Sequence, residues 1–230
     1  MKFFHAADIH LGAEPDKGFP WSKERGQEIW DSFRRLIRQA GEEKAGLFLI
    51  AGDLFHRQPL MKELKEVNYL FSTIPDTKVV LIAGNHDYLK RESYYLRFPW
   101  AENVFCLWGD QEPCVEFPDL GAAVYGISYD RKEITDPLYH HIRPQRRQPL
   151  EILLAHGGDR THIPFDRSVL EQAGFSYVAL GHIHKPETLV KDKIAYAGAL
   201  EPIDKNDLGP HGYIKGVWVN GAIRTEFIPA

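Results

Sequence analysis

The chain has 230 residues, of which 43% are hydrophobic and 26% charged, with 12% aromatic, enough to bury a substantial core as one domain or two small ones. This composition excludes a disordered, collagen-like or coiled-coil chain. A formal charge of −4 and a pI near 6.3 exclude a basic field over the whole molecule, so any nucleic-acid contact must use a local patch.

The N-terminal MKFFHAADIHLG places His5 and Asp8 where a signal peptide needs an unbroken apolar stretch, and no run of eighteen apolar residues occurs. Cys106 and Cys114 form no CxxC pair, so neither a disulfide framework nor a zinc ribbon is expected. The expectation is a soluble, cytoplasmic protein with reduced thiols and no membrane segment.

From Lys2 to Leu89 short apolar runs alternate with amphipathic segments, the pattern of strands followed by crossover helices. The runs are KFFHAA, LFLIA from Leu47 and KVVLIA from Lys78. Between the first two, Ser22 is placed to cap a helix carrying Ile29, Trp30, Phe33, Ile37 and Ala40 on one face. Between the second and third, Leu60, Leu64, Val67 and Phe71 repeat that spacing. Weaker strands are expected near Val104 to Leu107, Val115 to Phe117 and Ala123 to Ile127. Two clear ones follow, EILLA from Glu151 and YVALG from Tyr177, with a short helix about Arg167 to Ala173 between them. The remainder reads as antiparallel strands: Ile194 to Ala197, then GVWV and AIRTEFI joined by an Asn220-Gly221 hairpin turn.

Each strong strand is followed at once by residues of metal-ligand type. Asp8 and His10 follow the first, and in an extended segment residues two apart point to one side. Gly52-Asp53, with His56 close behind, follows the second, and Gly84-Asn85-His86-Asp87 the third. His156 ends the run from Glu151, and Gly181-His182-Ile183-His184 follows YVALG. Loops beyond the carboxyl ends of strands in an open α/β sheet converge on one crevice, so these clusters should meet. Oxygen and imidazole donors without a thiolate exceed one tetrahedral site and suit two cations, manganese first, with iron or zinc as alternatives. Two metals about 3.5–4 Å apart would clamp a phosphoryl oxygen and activate water for in-line attack.

The order DxH, GD, GNHD, H, GHxH resembles the calcineurin-like metallophosphoesterase superfamily. The resemblance implies an α/β fold, a four-layer α/β/β/α sandwich of two mixed β-sheets flanked by helices. ADIHLG, GDLFH, GNHDYL, GHIHKPE and the later YAGALEPIDKNDLGPHGY are, more narrowly, similar to the nuclease subunit of bacterial SbcCD-type DNA repair complexes. Carried onto this sequence, the first metal would be held by Asp8, His10, Asp53 and His184, and the second by Asp53, Asn85, His156 and His182. His86 would protonate the leaving alkoxide or stabilise the pentacoordinate transition state, with Asp87 orienting its ring and His56 touching substrate or solvent beside the metals.

The activity implied is an SbcD-like DNA exo- or endonuclease of DNA repair, hydrolysing phosphodiester bonds with a metal-bridging hydroxide. A small-molecule or cyclic-nucleotide phosphodiesterase of the same fold and a non-catalytic DNA-binding scaffold are the alternatives. The implied partners are DNA, an SbcC-like ATPase subunit and a second copy in a homodimer. Residues 1–230 read as one nuclease domain with no DNA-capping domain. Arg143, Arg146 and Arg147, in the basic stretch Leu138 to Pro149, either track substrate phosphates or form a solvated loop. Phe19, Trp21, Phe55 and Tyr88, near the motif loops, either stack on bases or pack. Of the eleven histidines, His5, His140, His141, His162 and His211 receive no role.

Overall fold

The computed structural model describes residues 1–108 and 114–230. Strands β1 (Lys2–Ala6), β2 (Leu47–Ala51), β3 (Lys78–Ile82) and β4 (Val104–Cys106) run parallel in one sheet. Helices α1 (Ser22–Glu42) and α2 (Met61–Ser72) are the crossovers from β1 to β2 and from β2 to β3. Strands β5 (Cys114–Phe117), β6 (Ala122–Gly126), β7 (Leu150–His156), β8 (Tyr177–Gly181), β9 (Glu187–Val190) and β10 (Ile194–Tyr196) form the second sheet, in the order β5-β6-β7-β8-β10-β9. Strands β11 (Gly212–Val219) and β12 (Ala222–Pro229) return to the first sheet, giving the order β12-β11-β1-β2-β3-β4. β11 is antiparallel to β1, and the β11–β12 turn is the Asn220-Gly221 hairpin, with both residues at positive φ.

The central strands of both sheets are apolar on both faces, because each sheet is covered twice. Phe3, Leu47, Leu49, Val80 and Ile82 meet Val124, Ile152, Leu154 and Ala179 between the sheets. On the outer face of the first sheet, Phe48, Ile50 and Leu81 pack on Ile29, Phe33 and Ile37 of α1 and on Leu64, Val67 and Phe71 of α2. Burying one such side chain contributes roughly 1.5–3 kcal/mol, which is what fixes the helical stripes against the sheet. The outer face of the second sheet is covered less regularly, by α3 (Arg167–Gln172), a 3-10 turn at Leu138–His140, and residues such as Phe175 and Tyr139. The four layers expected from the resemblance are therefore present, with one rich helical layer and one sparse one.

Three local expectations change. Ser22 is the first residue of α1 rather than its cap; Trp21 holds that place without a side-chain bond to the helix. Trp30 is half-buried at the edge of the stripe, with the Arg34 guanidinium 5.6 Å above its ring. Strand β9 carries four residues, two of them exposed, and its lack of a buried apolar run hides it from a pattern reading. Among the described residues no helix is long and apolar enough to cross a membrane.

His5, unassigned from the sequence, is wholly buried between the sheets. Its Nε2–H donates to the Leu180 carbonyl (3.1 Å) and its Nδ1 accepts from the Tyr177 hydroxyl (3.0 Å), so a polar bridge crosses an otherwise apolar interface. Burial pushes its pKa from 6.5 down to about 3.

Candidate metal centre

The five motif loops leave the carboxyl ends of β1, β2, β3, β7 and β8 and meet at one end of the two sheets. Asp8, His10, Asp53 and His182 all have positive φ (49°, 52°, 49° and 95°), an uncommon conformation for residues other than glycine. Asp8 and His10 are therefore brought together by two sharp bends, not by the extended alternation expected from their spacing. The strain, of order 1–3 kcal/mol per residue, is held by cross-loop bonds. Asp8 N–H donates to Gly52 O (3.2 Å), His10 N–H to Asp53 O (3.0 Å) and Leu11 N–H to Leu54 O (2.9 Å). Gly52 and Gly84 are required by packing: a Cβ would lie 2.4 Å from His156 Nδ1 at the first and 2.2 Å from Asp53 Oδ1 at the second.

All seven expected ligands converge. Asp8, His10 and His184 place a ligand atom each within 4.8 Å of one another, as do Asp8, Asp53 and His156. His10 Nε2 and His184 Nε2 face each other at 3.1 Å. The Asn85 amide oxygen lies 2.9 Å from His156 Nε2 and 3.1 Å from His182 Nδ1, and Asp53 Oδ2 lies 3.3 Å from His156 Nε2. Asp53 is the member common to both halves, being 4.0 Å from His10 Nε2 as well.

The donor chemistry fits two divalent cations. Four imidazoles, two carboxylates and an amide oxygen crowd their acceptor atoms together, an arrangement that repels itself unless a proton or a cation sits among them. Outward ring nitrogens are tied: His156 Nδ1–H donates to Ala51 O (2.8 Å), and His184 Nδ1–H to Asp207 Oδ2 (2.9 Å). Each bond to an acceptor fixes which ring nitrogen keeps its lone pair for a cation. Burial raises the Asp8 pKa, and burial pushes His10 well below the ordinary range. Burial would raise Asp53 too, but the adjoining His156 reverses this and holds it well below the usual carboxylate range. Burial opposes a proton on His156, yet Asp53 wins and raises it. Without metal, a His156–Asp53 ion pair supplies the charge balance that a cation would replace.

His86 stands beside this donor set, half-buried, with its ring edge-on to His10 at 4.8 Å between centroids. Its backbone N–H donates to Asp53 Oδ1 (2.8 Å) and its Nδ1–H to the His56 carbonyl (3.0 Å). This corrects the role expected of Asp87. Its Oδ1 accepts from Gly84 N–H (2.8 Å), and its Oδ2 from Phe55 N–H (3.1 Å) and the Tyr95 hydroxyl (2.8 Å), so it clamps the two loops while the His56 carbonyl orients the ring. His56 Nδ1 is 3.4 Å from His10 Nδ1, which leaves its Nε2 for the cavity.

That cavity, about 370 Å³, is lined by His56, Asn85 and His86 together with Tyr88 and the basic residues Arg57, Lys90 and Lys132. These three cations were not singled out from composition. Arg143 donates to the His140 and Ile142 carbonyls and lines a separate cavity of about 910 Å³, and Arg147 pairs with Glu116 at 3.2 Å. The backbone N–H groups of Arg146 and Arg147 are held by Glu151. Phe55 is wholly buried, and Phe19 and Trp21 stack on each other at the surface. Sequence reading missed Lys90 and Lys132, Asp207, and Asp159, whose Oδ2 accepts from His182 Nε2–H at 2.8 Å. Only Asp207 left a trace, lying within the YAGALEPIDKNDLGPHGY segment that carries part of the resemblance.

Two six-stranded mixed sheets with a histidine- and carboxylate-lined double site at their shared end define a metallophosphoesterase fold. The model of the calcineurin-like phosphoesterase family matches residues 1–186, and the chain belongs to that family. It is 30% identical to YhaO of Bacillus subtilis, an uncharacterized metallophosphoesterase, over 99% of this chain and 60% of that protein. It is 30% identical to the DNA double-strand break repair protein Mre11 of Methanocaldococcus jannaschii, over 90% of this chain and 58% of that one. The Mre11 protein of Saccharolobus solfataricus is 28% identical over 94% of this chain and 58% of its own. The chain thus spans a little under two thirds of the length of these relatives. A solved structure titled GAP50, the anchor in the inner membrane complex of Plasmodium, shares the fold at a TM-score of 0.53 and 11% identity, covering 100% of this chain and 84% of that one.

Proposed function

We propose that the protein is a DNA phosphodiesterase of the SbcD and Mre11 kind, working with two divalent cations, manganese foremost. The observation that carries the reading is the placement of His86. Its Nδ1–H is fixed on the His56 carbonyl beside the full ligand set, and the other ring nitrogen is left toward a cavity with basic walls. A proton held at that nitrogen can be passed to the leaving oxygen of a phosphodiester, a general-acid contribution of about 10²–10⁴ in rate.

Asp8, His10, Asp53 and His184 would hold the first cation and Asp53, Asn85, His156 and His182 the second. When bound, such a pair polarises the phosphoryl group and lowers the pKa of an attacking water. The chain's own residues do the rest. Lys90 and Lys132, both exposed, face the cavity where a phosphodiester backbone would enter, and local cations of this kind offset the net acidic charge of the protein. The Nε2 of His56 lies where it can donate to a phosphate oxygen. An ATPase subunit as partner follows the same resemblance.

The test is turnover with added Mn²⁺ across linear single-stranded and duplex DNA, a cyclic nucleotide and a phosphomonoester. Cleavage of DNA above the others supports the reading. Cleavage of the cyclic nucleotide alone, for which a 370 Å³ cavity has room, assigns the site to a small-molecule diesterase instead. No hydrolysis of any of the four, with metal bound, would leave a DNA-binding scaffold.

A further inference from the structure

The two histidines of Gly181-His182-Ile183-His184 present opposite ring nitrogens to the centre. His184 is tied at Nδ1 by Asp207 (2.9 Å) and turns Nε2 toward His10 Nε2, 3.1 Å away. His182 is tied at Nε2 by Asp159 (2.8 Å) and turns Nδ1 toward the Asn85 oxygen, also at 3.1 Å. Two imidazoles two residues apart could share one orientation. Two carboxylates from different loops give them different ones.

Each aspartate is itself held by a further histidine that the metal scheme does not use, Asp159 at its carboxylate and Asp207 at its backbone carbonyl. Asp159 Oδ1 accepts the Thr161 N–H (2.8 Å) and the His162 N–H (2.9 Å), and its Oδ2 accepts from the His162 ring Nδ1 (2.8 Å). Asp207 takes the Ile203 N–H on Oδ2 (3.3 Å), and its carbonyl accepts from His211 Nε2 (3.0 Å). Asp159 lies in the loop after β7, and Asp207 in the loop between β10 and β11. The hydrogen bonds of the two carboxylates share no residue, so the effects of removing them should be separable.

We propose that Asp207 and Asp159 are positioning residues that divide the two cation positions between them, Asp207 through His184 for the first and Asp159 through His182 for the second. This rests on the two-cation reading above. A carboxylate on the outer N–H of an imidazole fixes the tautomer and ring angle and makes the inner nitrogen a better donor to a cation. His162 thereby gains a role as the outer anchor of a His–Asp–His chain through Asp159, while His211 holds the backbone of the loop that carries Asp207. The loop Ala199 to Gly212 becomes the part of the fold that serves the first position, which gives the YAGALEPIDKNDLGPHGY segment a structural purpose. The Asp207 side chain is 12% exposed and that of Asp159 42%, so water screens the Asp207 bond less and its loss should tell more.

The test is calorimetric titration of Mn²⁺ into the metal-free protein, where wild type should show two binding events. Asp207→Ala should weaken one event about 10- to 100-fold and Asp159→Ala the other, the range for loss of such a partner. Asp207→Asn and Asp159→Asn keep an acceptor but lose the charge and should fall between Ala and wild type; they also serve if an Ala variant fails to fold. Two backgrounds assign the events. With Asn85→Ala, which removes a donor of the second position only, Asp207→Ala should still weaken the remaining event and Asp159→Ala should leave it unchanged. With His10→Ala the two should exchange behaviour. If either Ala variant leaves both events at wild-type strength, or each weakens both equally, the division is wrong. A wild type that takes up no Mn²⁺ overturns the two-cation reading itself, an outcome distinct from two ions bound without discrimination.

Discussion

His5 lets the consequence of a buried ring be worked out apart from the metal centre. The ring is neutral in the folded protein, with a pKa of about 3 against 6.5 in the unfolded chain, because burial between the sheets removes the water that would solvate its charge. The folded pKa is depressed, so between the two values the unfolded chain binds more protons, and the stability tied to His5 is lost as pH falls below 6.5. From pH 7 to pH 5 the loss works out at about 2 kcal/mol. For a chain of 230 residues that lowers the melting midpoint by roughly 4 °C. The assay is thermal or urea unfolding of wild type and His5→Gln in chelator at both pH values. Gln keeps a donor for Leu180 O and an acceptor for the Tyr177 hydroxyl but cannot take up the proton. The other histidines contribute alike to both proteins and cancel in the difference. Wild type should therefore lose about 2 kcal/mol more than the variant on acidification. Equal losses in the two proteins would refute the reasoning.

The metal centre makes further predictions. His86→Ala should cost about 10²–10⁴ in kcat with both Mn²⁺ ions still bound; loss of metal in this variant would move His86 from acid to ligand. Asp53→Ala should abolish both binding events in a titration, because one carboxylate faces both halves of the site. Gly84→Ala should weaken metal binding strongly while the sheets stay folded by circular dichroism, since its Cβ would sit 2.2 Å from Asp53 Oδ1; unchanged affinity would mean the loop is free to move away. Lys90→Glu with Lys132→Glu should raise KM for DNA at least tenfold, flatten its salt dependence, and leave turnover of a small phosphodiester nearly unchanged.

The strands and two long helices were legible because their boundaries are written in local pattern. Apolar runs such as LFLIA need cover on both faces, and Ile29, Phe33 and Ile37 recur at helical spacing. The residues that converge at the candidate site were legible for a related reason: each lies at or just beyond a strand end, so finding the strand finds the residue. What stayed hidden is set by long-range chain paths. Asp159 and Asp207 each lie 23 residues from the histidine they bind, a separation that no helical or strand period reports. Asp87 was assigned to the wrong partner because adjacency to His86 in sequence suggests contact, whereas the tight turn sends its carboxylate backward to Gly84, Phe55 and Tyr95. In the arginine stretch, density of charge marked a surface, where Arg143 bonds the His140 and Ile142 carbonyls and Arg147 pairs with Glu116.

The histidines show how one residue type serves several ends once burial and partners are known. His5 serves as a polar rivet between apolar sheets, His86 is fixed by a carbonyl beside the cluster of donors, His162 anchors the Asp159 carboxylate that faces His182, and His211 holds the backbone carbonyl of Asp207. His140 accepts the Asp166 N–H at 2.9 Å and so fastens the loop before α3. In each case the nearest acceptor or donor decides which ring nitrogen is free, and that choice decides whether the ring can face a cation, a substrate or only its neighbours. The same reasoning explains why the centre is assembled from strained loops. Positive φ at Asp8, His10, Asp53 and His182 turns their side chains inward against one another, and the backbone bonds between the β1 and β2 loops bear that strain before any metal arrives. A site built in this way needs little rearrangement on binding, so the affinity of each position should depend on how firmly its rings are aimed.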